Sequence, residues 1–180
     1  MKDAGEAMAG LARPMQHALN NLIMVMQANM DSVLASLPPD DRASIRLSRA
    51  AQATSDLDAL LRAFLRLGRP DETPTLDSGR FLDTVRPLLA TGIGRPLTVE
   101  VPATATTVVA RPAVDLALLR AAQGARALPR GTPATLVLDG LVLRMNWAVA
   151  PECHGPLLDA GITVVEADAE RCTLRLPAGS

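Results

Sequence analysis

The sequence predicts an α+β chain, an N-terminal antiparallel helical hairpin followed by a small α/β sandwich. Three observations predict it. Apolar residues recur at steps of four and three from Leu11 to Leu37, which is helical spacing. A second stretch of helical spacing follows the Pro38-Pro39 turn. Beyond residue 78, short alternating or wholly apolar runs punctuated by Gly and Pro replace the helical period.

The first helix is expected over residues 4–36. Its apolar stripe is Leu11, Met15, Leu19, Leu22, Met26, Met30, Val33 and Leu37, and Pro14 either bends it or marks where its stable part begins. At about 100° per residue, His17 falls nearly opposite the centre of that stripe, with Asn21 one turn further on. Residues 37–41 form a turn, and Asp40 or Asp41 can cap the helix that follows. That second helix, 41–67, carries Ile45, Ala53, Leu57, Leu60, Leu61, Phe64 and Leu67, with Gly68 as a stop. A hairpin alone buries only part of each stripe, so a homodimer closing into a four-helix bundle is expected. Residues 69–78, with Pro70 and Pro74, read as a linker. The division is therefore a dimerisation hairpin at 1–68, a linker, and a second domain at 79–180.

In the second domain a helix is expected from Ser78 to Leu89, and strands at 97–101 and 106–110. Pro112 starts a helix reaching about Leu128, and Pro129 and Pro133 break the chain after it. Strands at 134–138 and 141–147 flank Asp139-Gly140, a tight-hairpin signal. A short helix at 155–160 and strands at 162–166 and 172–176 follow, giving one sheet with helices on one face.

Composition narrows the function classes. The net charge is −1, which argues against nucleic acid or an anionic membrane as partner. Lys2 is the only lysine, and arginine supplies every other basic group. Cys153 and Cys172 are too few for a disulfide framework or a structural zinc site. The adjacent Cys153 and His154 lack further ligands and read as loop residues, so no metal is expected. No run of about twenty apolar residues spans a membrane, and residues with Asp3 and Glu6 at the start do not read as a signal peptide. A cytoplasmic location is the expectation.

His17-Ala18-Leu19-Asn20-Asn21-Leu22 resembles the H-box of the two-component histidine kinases. In that family a dimerising helical hairpin carries the phosphoacceptor His, and a Bergerat-type ATP-binding domain follows. The resemblance continues in Val108-Val109-Ala110-Arg111-Pro112 with residues 114–119, and in the closing runs 161–164 and 172–177. The departures are specific. Ala18 stands where the kinases place an acid, and Gln123 stands where the Mg-coordinating Asn aligns. No Asp-x-Gly-x-Gly motif follows, and residues 147–155 are too short for an ATP lid. Without backbone N–H groups arranged around a triphosphate there is little to hold a nucleotide. The second domain thus resembles a degenerate ATPase domain, and the whole chain resembles the dimeric histidine phosphotransferases, with no cofactor.

That resemblance implies a phosphorelay role in which His17 shuttles a phosphoryl group between the aspartates of receiver domains in response regulators or hybrid kinases. An imidazole needs no large shift from its ordinary range, about 6.5, to offer a neutral nitrogen at neutral pH. Asn21 can bond the phosphoryl group or orient a water. Asn20, Met24 and Ala28 are expected to contact the receiver, and Arg42, Arg46 and Arg49 form a helical face that an acidic receiver could also meet, although a solvated face is the simpler reading. Two alternatives stay open. One is a degenerate kinase acting as a response-regulator phosphatase through Asn21; the other is a non-catalytic dimeric module that regulates kinases or receivers.

Overall fold

The computed structural model describes residues 2–179, with side chains described at 10, 11 and 14–179. The chain forms two units, Met1–Arg69 and Pro70–Ser180.

The first unit is a helical hairpin. Helix α1 runs Lys2–Leu34 with Pro14 inside it, and α2 runs Arg42–Arg66. Of the two candidate caps, Asp41 takes the position, its carboxylate accepting from the Ala43 N–H at 2.6 Å. Between the helices, Gln27 donates to Ser55 Oγ at 3.4 Å and Arg69 Nη2 donates to Gln16 Oε1 at 2.5 Å. These contacts fix an antiparallel register.

The expected single stripe on α1 divides in two. Leu19, Met30 and Leu37 are half-buried, whereas Leu11, Met15, Leu22, Met26 and Val33 are exposed in the single chain. The most buried described side chain of α1 is Ile23, 3% exposed, which the four-and-three pattern passes over. The reason is geometric. One neighbouring helix covers only one flank, here Gln16, Leu19, Ile23, Gln27, Met30 and Leu34, and the adjacent flank stays open.

The second unit begins earlier than its sequence suggests. Residues 69–78 read as a linker in the sequence, but β1 (Thr75–Asp77) pairs antiparallel with β3 (Thr106–Val108), and Glu72 bridges to Arg111. The backbone groups there find partners within the unit, which the prolines do not prevent because they precede the strand. Helix α3 spans Ser78–Ile93, capped by Asp77, whose carboxylate accepts from the Arg80 N–H, and closed by Gly94 at φ 70°. After β2 (Leu97–Thr104) and β3 come α4 (Ala113–Ala122) and a 3₁₀ turn (Gln123–Ala127). The chain ends with β4 (Ala134–Gly140), β5 (Val142–Met145), a 3₁₀ turn (Pro151–Cys153), α5 (His154–Asp159), β6 (Thr163–Ala167) and β7 (Cys172–Arg175).

The sheet order is β2-β4-β5-β7-β6, with β2 and β4 parallel and the other pairs antiparallel. β3 was expected in this sheet and instead belongs to the separate ribbon with β1. The chain turns at Gly140 and Leu141, one residue later than the Asp139-Gly140 signal, because Asp139 pairs with Val142 and Gly140, the last residue of β4, supplies the positive φ of the tight turn. The inner face of the sheet (Leu97, Ala134, Leu136, Leu138, Leu143, Met145, Cys172, Leu174) joins side chains of α3, α4 and α5 in one core that includes Phe81, Leu118 and Leu157. Thr135, Val137, Arg144 and Thr173 alternate onto the other face, as a strand period of two dictates.

Candidate phosphoacceptor site

The hairpin positions His17 by helical phase. The apolar positions left exposed on α1, among them Leu11, Met15, Leu22, Val25 and Val33, sit about 110° to one side of the flank facing α2. On α2 the exposed apolar positions Ala50, Ala53, Leu57 and Phe64 sit about 100° from the flank facing α1, in the same rotational sense, while exposed Ile45 lies apart from them, about 150° away in the opposite sense. In an antiparallel pair, equal offsets in the same sense bring both stripes to one side of the hairpin. His17 is offset about 110° in the opposite sense, so it lies on the other side. It is exposed, and among the described residues nothing hydrogen-bonds or ion-pairs with its ring.

Asn21, Met24 and Ala28 share that flank and are exposed, Met24 to 61%. Asn20 is half-buried, nearer α2. The helix thus brings His17, Asn21, Met24 and Ala28 together along one rigid surface, with Asn20 at its border. Arg42, Arg46 and Arg49 are exposed but sit near the inter-helix turn. Antiparallel register puts them opposite the C-terminal end of α1, roughly 15–20 residues and ~20–30 Å along the axis from His17. They do not join the His17 surface. Arg69 does approach it, through Gln16. Sequence reasoning passed over Arg69, although the antiparallel pairing already implied that the end of α2 would lie beside the start of the H-box-like run.

In the second unit, the surroundings of Gln123 and of Asp139-Gly140 are closely packed. Gln123 is exposed where α4 passes into the 3₁₀ turn. Beside it, Trp147 is buried with its indole N–H donating to Ala121 O at 3.1 Å, and Gly124 packs so closely on the Ala148 carbonyl that a Cβ there would run into it. Gly140 O accepts from the buried Ser78 hydroxyl at 2.7 Å. On the outer sheet face an open groove of about 1120 Å³ is lined by residues including Leu128, Val137, Arg144, Glu166 and Arg171. Cys153 is half-buried, and burial first, then the Glu152 carboxylate, push its thiol above the usual range. Among the described residues no group of three His, Cys, Asp or Glu side chains is placed to hold a metal. Nor is any helix among them long and apolar enough to cross a membrane.

No protein-family model and no curated protein matches this chain. Solved structures do, among them the crystal structure of a histidine kinase from Burkholderia phymatum STM815, similar over 99% of this chain and 100% of that one, at 14% identity and a TM-score of 0.41.

Proposed function

We propose that this chain is a histidine phosphotransferase of a two-component phosphorelay, passing a phosphoryl group between receiver-domain aspartates through His17 and binding no ATP. The observation that carries the reading is an exposed imidazole, free of hydrogen bonds among the described residues, mounted on a helix flank directed away from both apolar stripes of its hairpin. A nucleophile for a bulky protein substrate needs this kind of presentation, because the partner must close over it.

In the forward step, the lone pair of the unprotonated ring nitrogen attacks the phosphorus of an aspartyl-phosphate. The N–P bond forms, the P–O bond to the acyl oxygen breaks, and the aspartate leaves as carboxylate with the bonding pair. The other ring nitrogen keeps its hydrogen. The return step reverses this onto a second aspartate. Little else is asked of the transferase, since phosphoryl transfer is largely positioning and charge stabilisation. Asn21 lies one turn along, where its amide can bond a phosphoryl oxygen, while Met24 and Ala28 provide an apolar contact for the receiver. The exposed stripes on α1 and α2 support a homodimer in which two hairpins close into a four-helix bundle.

The test is transfer of label from a phosphorylated receiver domain to the wild-type chain and to His17→Ala. Acid-labile label on the wild type alone is the expected result. Label on neither, with the receiver phosphate intact, would leave a non-catalytic binding module as the better reading.

A further inference from the structure

Between residues 14 and 30 of α1 the sequence holds no Asp, Glu, Lys or Arg. Arg13, four residues before His17 in the same helix, is thus the nearest fixed charge that α1 offers a phosphoryl dianion or the acidic surroundings of an aspartyl-phosphate. Further charge lies on the partner helix. Gln16 contacts Arg69 and Gln27 contacts Ser55 across the hairpin. Interpolating between those contacts sets Arg66 opposite residues 16–19 and Arg62 opposite residues 20–23. By phase, Arg62 and Arg66 are offset about 50° and 90° from the α1-facing flank of α2, toward the side that His17 occupies. Three cations thus border the side of the hairpin that presents the imidazole. Arg62 is half-exposed and pairs with Asp58 at 2.8 Å, and Arg69 is exposed.

We propose that Arg62, Arg66 and Arg69, at the C-terminal end of α2, form the cationic rim that recognises the phosphodonor at His17, and that the donor presents an acidic protein surface around its aspartyl-phosphate. This deepens the phosphotransferase reading and rests on it. The rim adds to the one cation, Arg13, that α1 places a turn before His17. Guanidinium groups steer an anionic surface into encounter and orient it, a contribution felt mainly in association and in its dependence on salt. The Arg62–Asp58 pair keeps one guanidinium extended along the helix until a phosphoryl group or carboxylate competes for it.

The experiment has two stages on the full chain. Wild-type protein is first treated with phosphoramidate, a small donor that asks only whether His17 accepts phosphate. Failure to form acid-labile label there, and also from phosphorylated receiver domains of the source organism, overturns the phosphotransferase reading and this proposal with it. Where wild type is labelled, transfer from a phosphorylated receiver is timed at low and moderate salt for Arg62→Glu, Arg69→Glu and the matching Lys variants, each checked for helix content by circular dichroism. The expected result is about a tenfold slower transfer at low salt for each Glu variant. The wild-type rate should fall with salt, and the Lys variants should stay near wild type. Glu variants that transfer at the wild-type rate, with the wild type indifferent to salt, would overturn the rim while leaving His17 as acceptor.

Discussion

Arg111 and Asp115 are the only charged residues buried among the described ones, and they are buried together. The guanidinium grips the carboxylate through two bonds, Nε to Oδ2 at 2.8 Å and Nη2 to Oδ1 at 2.7 Å, while Nη1 donates to Thr84 Oγ1 at 3.1 Å and the group lies 5.4 Å from the Phe81 ring centroid. Removing one partner strands a charge in the core. Asp115→Ala should therefore cost about 3–5 kcal/mol, read as a lowered urea midpoint of the second unit, whereas Arg111→Leu with Asp115→Leu should cost far less. Cys172 gives a pH prediction. Burial, reinforced by Asp168, pushes its thiol up to about 11 from an ordinary value of 9.0. Between those values the unfolded chain has released the proton and the folded chain retains it, so stability falls as pH rises through this window. Wild type should lose urea resistance between pH 9.0 and about 11, and Cys172→Ala should show a shallower loss from a lower starting point.

At the scale of elements, the helices and most strands were legible because their signals are local. Asp41, one of the two caps the sequence offers, caps α2, and the apolar run Leu136-Val137-Leu138 forms a strand; α3 runs past its expected end at Leu89 to Ile93, where Gly94 closes it. What was not legible depends on partners far away in sequence. The β1–β3 ribbon joins Thr75 to Val108, and nothing within residues 69–78 announces a partner 33 positions on. The division of the α1 stripe depends likewise on which flank α2 covers, so Ile23 falls outside the stripe read from sequence, and Met15 and Met26 part from Leu19 and Met30. His17 was legible because helical phase alone places it, whereas Arg69 needed the register of the hairpin. Gly124 shows how tightly the end of α4 is closed. Gly124→Ala drives a methyl into the Ala148 carbonyl and should destabilise the second unit by about 1–3 kcal/mol. Gly155→Ala, with open space around it in α5, should be neutral or stabilising by up to about 1 kcal/mol in the same urea titration.

For the whole molecule, apolar burial is divided very unequally between the two units. The buried core cluster runs from Phe81 to Leu176 and lies entirely in the second unit. Among the described residues the hairpin buries only Ile23 and Ala63 as apolar side chains, while Leu11, Leu22, Val25, Leu57 and Phe64 are each more than 40% exposed. Two helices with so little between them gain little from packing, and helical stability in proteins comes mainly from a buried apolar face. If a second copy covers that face, folding of the hairpin is linked to association and must depend on protein concentration. Helix content followed by circular dichroism on heating should then show two transitions. The one belonging to the hairpin should rise with concentration, each tenfold increase adding about 1.4 kcal/mol per dimer. Leu22→Glu or Leu57→Glu places a charge in the interface, and should lower that transition, remove its concentration dependence and shift the mass in light scattering from dimer to monomer. A wild-type monomer whose hairpin melts at one temperature across all concentrations would exclude the bundle, and with it the expectation that two His17 surfaces are presented by one assembly.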